Sequence, residues 1–488
     1  MKNPEKCVAA ADVPQWRQSV DVVVIGLGMA GSCAALEAVE AGASVLVLER
    51  ASGGGGASAL SEGQFYLGGG TVVQKGCGFD ERPEDMYTFL RASTSADDDR
   101  LRAYCEGSPE HVDWLESHGV PFERRTLVSK AVSSHTGEGL MTTGNEFVHP
   151  FRDLVPPVPR GHQTRASEEN HGGAVAMRAL LGAVEKLAIE VLTDTRVVAL
   201  VIDEGAKVRG VQARIAGEDA FFEARGGVVI ATGSFNLNAE MTAEYMPTVA
   251  AHATPLGTPD NDGAGIRLGL AAGAAVENID GVLTTASIYP PESLVSGIVV
   301  NSAGERFVSE DCYHGMLGHQ IVAQQDQTAF LLVDEENFAY PSRKHKLLGV
   351  WGSIAETERE LDLPVGALEA TLREYNEDVA ERNEDSRFHK HPKFLTVLEP
   401  PLAAFDISLR QGAYHYIGLG GLRTDENGAV LQEAGAPVDG LYAAGACAAH
   451  LSAHGGEYAS GLSLGPGSFF GRRAGRHAAQ AASGRGVG

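Results

Sequence analysis

Positive charge is what this sequence has least of. Lys and Arg number 39 against 64 Asp and Glu, a formal net charge of −25. Nucleic acid is held largely by cationic contacts to phosphate, so no nucleic-acid partner is expected. Cysteine is scarce as well. Cys7, Cys33, Cys77, Cys105, Cys312 and Cys447 show no CxxC and no paired spacing, which suits a reducing compartment. No stretch approaches the roughly eighteen apolar residues of a membrane span. The opening residues, MKNPEKCVAAADVPQWRQ, carry no apolar core of signal-peptide length. A cytoplasmic protein without a transmembrane segment is the expectation. Internal repeats and low-complexity segments are lacking too. The scattered histidines make no metal set, so no metal is expected, and His314, His415 and His450 are read as structural. HKH at 389–391 is read as a solvated charge run.

Glycine, by contrast, is abundant: 60 of 488 residues, well above the roughly 7% of ordinary chains. Many glycines follow apolar strands in short turns, where backbone can approach a ligand closely. Residues 21–25, DVVVI, form a β-branched run of the kind found in buried parallel strands. GLGMAG follows, then a helical stretch ending near Gly42, then a second strand at 45–48 closing on Glu49. This is one βαβ unit with a dinucleotide fingerprint. Gly26 permits the tight turn, Gly28 lets a pyrophosphate approach the backbone, and Gly31 allows close helix–strand packing. The helix amino terminus favours phosphate charge, and Glu49 would accept hydrogen bonds from a ribose diol. VVIATG at 228–233 resembles a second strand-to-glycine turn closing a flavin site. GLYAAGACA at 440–448 resembles the strand beside the ribityl chain. No second GxGxxG offers a nicotinamide site, so one FAD and no NAD(P)H domain is the reading. The expected cofactor-binding residues are Gly26, Gly28, Met29, Ala30, Gly31, Glu49, Arg50, Ala57, Ser58, Ala231, Thr232, Gly233, Gly445, Ala446, Ser463 and Leu464.

Along the chain, residues 80–120 read as two helices, PEDMYTFLRAS and SPEHVDWLESHG, and residues 125–170 as a long ordered excursion. Short strands at 190–192, 197–202, 208–215 and 220–223 read as a meander. After a glycine- and alanine-rich helix at 263–272 the texture changes. Residues 278–410 carry strands and polar helices, and the first texture returns at GLGGLRTDENGAVL. The expected class is α/β: a Rossmann-like FAD-binding domain of glutathione-reductase type in two parts, 1–277 and 412–488. An α+β catalytic or capping domain at 278–411 is inserted between them.

At family level, VVVIGLGMAGSCAALEAVEAGASVLVLER, GLGGLRTDENGAV and GLYAAGACA resemble the FAD-dependent fumarate reductase/succinate dehydrogenase flavoproteins. More narrowly, NDGAGIRLGLAAGA, NSAGERFVSEDCYH, DQTAFLLVDE and YASGLSLGPGSFFGRRAG resemble 3-ketosteroid dehydrogenases of the delta-4-(5-alpha) type. The resemblance spans nearly the whole chain. It implies an FAD-dependent oxidoreductase acting on CH–CH groups, with its active site between the domains at the flavin ring. The implied substrate is a small, hydrophobic, steroid-like ketone, and the implied partner an external electron acceptor of unknown identity. Departures from the fumarate reductases sharpen this. YHYIGLGG, with Tyr416 and Ile417, stands where those enzymes carry an HTMGG-like motif, and SIYPPE replaces a substrate-facing HPT. A dicarboxylate needs bidentate cationic partners; hydroxyls and apolar groups stand in those motifs here. The flavin-linking histidine of the quinone-linked enzymes is missing from GGGGASALSEGQFY, so FAD is expected to bind non-covalently. There is no CxxCH haem motif.

Oxidising a saturated 3-ketone to an enone sends a hydride to flavin N5 and removes a proton alpha to the carbonyl. Negative charge builds on the carbonyl oxygen, so an oxyanion hole and a base are needed. The resemblance gives the oxyanion role to the Tyr458 hydroxyl and the Gly461 N–H, and proton handling to Ser460 and Tyr313. Serine is a poor base alone. Tyr313, with an ordinary pKa near 10, is the expected relay, its pKa lowered by neighbours. Tyr289 is its rival; Tyr289, Tyr416 and Phe307 are the expected substrate-lining residues. A helix from Pro466 or Gly467 would direct its positive end at the flavin. An ene-reductase acting on another enone or enoate would use the same residues, so the direction of reaction stays open. A non-enzymatic FAD redox carrier would have no need of Tyr458, Ser460 and Tyr313 together.

Overall fold

The structure, a computed structural model, describes residues 7–165, 171–285, 287–411 and 414–484. Its centre is a nine-stranded sheet. Gln18–Ile25 lies between Val45–Leu48 and the long strand Glu218–Ile230, parallel to both. Val22, Val23 and Val24 are fully buried, as the β-branched run requires of a strand covered on both faces. Glu218–Ile230 serves two neighbourhoods. Its first half pairs antiparallel with Val208–Ile215, and its last residues pair in parallel with Pro437–Ala443. The register shifts between Ala224 and Gly227, where the two halves join. Glu190–Leu192 does not join a meander: it is a parallel edge strand beside Val45–Leu48. Three residues, one polar and two apolar, cannot disclose which neighbour they choose.

Helices cover this sheet. Met29–Glu40 packs against the last helix, Leu464–Ala482, at small residues. A Cβ on Gly471 would sit 2.5 Å from Ala30 O, and one on Gly475 would overlap Ala34 O. Arg472 Nε then reaches Glu37 Oε2 at 2.7 Å inside this contact, and the close crossing fixes where the amino-terminal ends of both helices point. Between residues 80 and 120 the helices are Pro83–Ser93 and Asp98–Ser117. The second starts ten residues before the SPEHVDWLESHG expected from sequence. Asp97 caps it through the Asp99 and Arg100 N–H groups, and Pro109 is accommodated inside.

Ile298–Val300, Phe330–Val333, Leu402–Asp406 and Lys346–Trp351 build a separate antiparallel sheet with its own core, carrying the helices Ile354–Glu360 and Ala367–Arg382. Arg306 meets Glu310 and Asp385 there, each at 2.8 Å. Lys390 joins this network. It is buried, 2.9 Å from Glu310 Oε2 and donating to Gly297 O at 2.6 Å. HKH is therefore no solvated run at its centre: a lysine this deep needs a carboxylate partner, and Glu310 provides it. Strands Gln64–Tyr66, Gly161–Gln163, Leu140–Met141 and Thr126–Leu127 order the expected excursion as a third sheet; residues 166–170 of it lie outside the described residues. A small sheet of Thr254–Pro255, His415–Gly418 and Val282–Thr285 bridges sequence-distant parts of the chain. No helix among the described residues is long and apolar enough to cross a membrane.

Candidate active site

A continuous cavity of about 860 Å3 runs from the Gly26 turn to the bridging sheet. At its first end the glycines act as their positions demand. Gly26 has φ +100°, and a Cβ there would lie 2.5 Å from Ala231 O. Gly31 has room for no side chain against Gly26 O. A Cβ on Gly28 would meet only Ser58 Oγ at 3.7 Å and Gly55 O at 3.9 Å, so its backbone faces open space. Gly28 also caps Met29–Glu40 without a side chain of its own, and Ser58 Oγ accepts from Met29 N–H at 3.3 Å, leaving the following N–H groups for an anion. Glu49 accepts from Leu27 N–H at 2.7 Å and Ala51 N–H at 2.8 Å. Two amides hold its carboxylate rigid at the cavity wall, with lone pairs to spare for a diol. Arg50 is tied to Asp260 and Asp262, at 3.1 and 2.7 Å.

Every expected cofactor residue lines this cavity except Gly31, which packs behind the turn. Ala57 and Ser58 form one wall; Ala231, Thr232 and Gly233 another; Gly445, Ala446, Ser463 and Leu464 close it. A dinucleotide fits these groups: a glycine cradle that a Cβ would fill, a helix start whose first N–H alone is taken by Ser58, and an anchored carboxylate. Among the described residues no group of three His, Cys, Asp or Glu is arranged to hold a metal.

At the other end, hydroxyls meet. Tyr313 Oη lies 2.8 Å from Ser460 Oγ. Tyr458 Oη lies 2.9 Å from Ser463 Oγ, and the two tyrosine rings are 6.5 Å apart. One loop positions both members of the first pair: Thr143 O accepts from Ser460 N–H at 2.9 Å, and Asn145 Oδ1 from Tyr313 N–H at 2.7 Å. Gly461 lies between Ser460 and Ser463 with φ +102°, and a Cβ there would overlap Tyr66 N. Its carbonyl accepts from Tyr66 and Gly465, while its own N–H has no protein acceptor among the described residues. The last helix starts at Leu464, two residues before Pro466. The proline sits in the first turn, where its missing N–H costs nothing.

His450, set aside from sequence as structural, stands behind Tyr458. Its Nδ1 is 2.9 Å from Leu419 O and its Nε2 3.1 Å from Ser463 Oγ. A carbonyl only accepts, so Nδ1 carries the proton and Nε2 accepts from the Ser463 hydroxyl. Burial pushes the imidazole down to about 4, so it is neutral at physiological pH. Ser463 therefore offers Tyr458 a lone pair, and the line Tyr458–Ser463–His450–Leu419 has a direction. The only earlier clue was a lone histidine closing GLYAAGACAAH.

Burial pushes the Tyr458 phenol up to about 12, against the opposing pull of its hydrogen bonds with Ser463. Tyr313 corrects an expectation. Burial, helped by Tyr458, pushes its phenol well up rather than down; the Ser460 hydrogen bond only moderates this. All the hydroxyls here are protonated at neutral pH.

The expected lining residues fare differently. Tyr289 is buried in the core of the inserted sheet, its hydroxyl 3.3 Å from His314 Nδ1. It supports His314, whose ring packs 4.1 Å from that of Tyr313. Tyr416 points away from the cavity into the core of the nine-stranded sheet. Its neighbours His415 and Ile417 face the cavity instead, as strand alternation requires. Phe307 packs against the same core as Tyr289, away from the cavity.

Fold and cavity together define a dinucleotide-binding flavoprotein. Residues 21–464 match the FAD binding domain family, and the chain belongs to it. It is an FAD-dependent oxidoreductase. The chain is similar in structure to 3-ketosteroid-delta4-(5alpha)-dehydrogenase from Rhodococcus jostii, solved with 4-androstene-3,17-dione. That similarity has 40% identity and a TM-score of 0.91, over 97% of this chain and 99% of that one. In sequence it is 28% identical to the 3-oxo-5-alpha-steroid 4-dehydrogenase of Comamonas testosteroni, covering 90% of this chain and 94% of that protein. It is 27% identical to a vinyl phenol reductase of Lactiplantibacillus plantarum, covering 95% and 97%. The family resemblance drawn from the motifs is borne out.

Proposed function

We propose that the chain is a flavin-dependent 3-ketosteroid dehydrogenase that introduces the C4–C5 double bond into 3-keto-5-alpha-steroids. The observation that carries this reading is the pairing of Tyr458 with Ser463 and Tyr313 with Ser460 across one cavity, flanking the Gly461 N–H, which has no protein acceptor among the described residues. The similarity to steroid 4-dehydrogenases supports it. The inserted segment 278–411 acts as the catalytic cap by contributing Tyr313 from the start of the helix His314–Ala323.

FAD, held non-covalently beside a loop without histidine at 53–66, supplies the two-electron oxidant when bound. The protein's part is acid–base and electrostatic. Tyr458 turns its hydroxyl proton from Ser463 toward the substrate ketone, and Gly461 N–H donates to the same oxygen. A protonated phenol in a buried site stabilises the charge that develops there. Ser460 takes the proton alpha to the carbonyl while passing its own to Tyr313, which releases one to water in the cavity. Each hydroxyl gains a proton as it gives one up, so neither has to exist as a free anion, consistent with the raised pKa of Tyr313. An external electron acceptor completes the cycle. All six cysteines are free thiols, in keeping with a cytoplasmic setting.

The test is anaerobic mixing of the holoenzyme with a saturated 3-ketosteroid, following the visible flavin absorbance. Bleaching is the expected result. A second reading, an ene-reductase working in the reductive direction, is favoured by the vinyl phenol reductase similarity. It would replace the first if the ketone fails to bleach the flavin and another unsaturated acceptor reoxidises dithionite-reduced enzyme.

A further inference from the structure

Three arginines among the described residues line the cavity, and two of them are ion-paired, Arg50 with Asp260 and Asp262 and Arg196 with Asp262. Arg343 is the third, and no carboxylate lies within ion-pairing distance of this guanidinium among the described residues. Its one protein partner there is neutral: Arg343 Nη1 donates to His415 Nδ1 at 3.1 Å. His415 therefore carries its ring proton on Nε2, which has no protein acceptor among the described residues. Together the pair presents only donors: the remaining guanidinium N–H groups and one imidazole N–H.

Strand register places these donors away from the reacting end. Leu283 pairs with Ile417 and Thr285 with His415, and all four side chains face the cavity. Leu283 flanks Gly315 together with the Tyr313 ring, so the first pair adjoins the catalytic hydroxyls. The second pair lies two residues along, about 7 Å at the usual strand rise, and Arg343 is hydrogen-bonded to His415 of that pair. Pro255 and Leu256 nearby are apolar. The cavity thus runs from hydroxyls, past an apolar middle, to a donor-only end. A charged donor set without a counter-ion is completed best by a carboxylate.

We propose that Arg343 and His415 form a subsite for an anionic oxygen group, a carboxylate, at the substrate end opposite the reacting ketone. This rests on the 3-ketosteroid reading and narrows it: the favoured substrate is a 3-ketosteroid with an acid-terminated side chain.

The test compares two 4-en-3-one steroids, one ending in a C17 ketone and one in a short carboxylate side chain. Their affinities for the holoenzyme are read from perturbation of the bound flavin's absorbance, which needs no turnover. The wild type should prefer the acid by about tenfold or more, the worth of one good charge-assisted contact. Arg343→Leu should abolish that preference, Arg343→Lys should keep part of it, and FAD content should match the wild type. Equal affinities in the wild type, a preference that survives Arg343→Leu, or binding of neither ligand would overturn the subsite. Loss of FAD from Arg343→Leu would assign the arginine to the cofactor instead. A preserved preference for the acid, with no flavin bleaching by the saturated 3-ketosteroid, would overturn the dehydrogenase reading and leave the subsite standing.

Discussion

Tyr458→Phe removes one oxygen from the centre of the site and leaves its surroundings in place. The ring is buried, 5% exposed, and the phenylalanine fills the same space. Ser463 keeps its hydroxyl proton on His450 Nε2, so the variant strands no side-chain donor, and only the Ser463 N–H loses the phenol oxygen. The structural cost is that of one neutral hydrogen bond, about 1 kcal/mol. The catalytic cost is larger, because the lost donor acts where charge appears. Removing one oxyanion donor costs roughly 10²–10³ in turnover, about 2.7–4 kcal/mol. Purified Tyr458→Phe should therefore keep its FAD, lose little thermal stability, and reduce flavin slowly in single-turnover mixing with a saturated 3-ketosteroid. Near-normal flavin reduction would refute the oxyanion role. Loss of FAD with the activity would show instead that the phenol is structural.

Ser460→Ala and Tyr313→Phe should each slow flavin reduction while leaving FAD content unchanged. If the pair is one relay, the double variant should be little slower than either single one; independent, multiplying losses would break that model. Gly461→Ala should be destabilised and inactive, because φ +102° is strained for alanine and its Cβ would overlap Tyr66 N; a melting temperature equal to wild type would contradict this. Acid should destabilise the fold. Burial holds His450 and His162 down to about 4 and His314 to about 3, below the ordinary 6.5. The unfolded chain binds their protons first, so stability is intact above about pH 6.5 and falls as pH drops toward 4. A flat melting temperature between pH 7 and 5 would contradict this account.

What could be read from sequence divides along physical lines. The dinucleotide turn was legible because each glycine answers a local demand: Gly26 a positive φ, Gly31 a helix crossing, Gly28 an open approach. Each demand lies within a few residues of its cause. Tyr458, Ser460 and Tyr313 were legible from motif, and the structure brings them to one cavity. What failed to show depended on distant partners. Tyr416 was expected in the pocket, but a one-residue change of strand parity decides between pocket and core, and YHYIGLGG does not display parity. The lowering expected for Tyr313 needed a neighbouring cation, and burial dominates instead. Lys390 looked solvated because Glu310, its partner, is eighty residues away. His450 and Arg343 are single residues whose meaning comes only from what the fold sets beside them.

The two ends of the cavity use opposite electrostatic strategies, and substrate orientation follows from the contrast. At the reacting end the phenols and imidazoles are held neutral chiefly by burial: Tyr458 and Tyr313 protonated, His450 and His314 unprotonated. A carboxylate placed there would be desolvated among groups carrying no compensating charge, at a cost of several kcal/mol. At the far end the Arg343 guanidinium lacks a counter-ion among the described residues. A ligand with a ketone at one end and an acid at the other is thereby driven into one orientation, its ketone at Tyr458. A small dicarboxylate would have to bury its second charge among the neutral hydroxyls. Exclusion of the dicarboxylate thus follows from the absence of charge beside Tyr458, not from a shortage of arginine in the cavity. Adding a cation at the reacting end, as in Ser460→Arg, should raise affinity for a small dicarboxylate and weaken that for the neutral ketone. If the variant keeps its FAD and binds no dicarboxylate more tightly than wild type does, local charge is not what discriminates between these substrate classes.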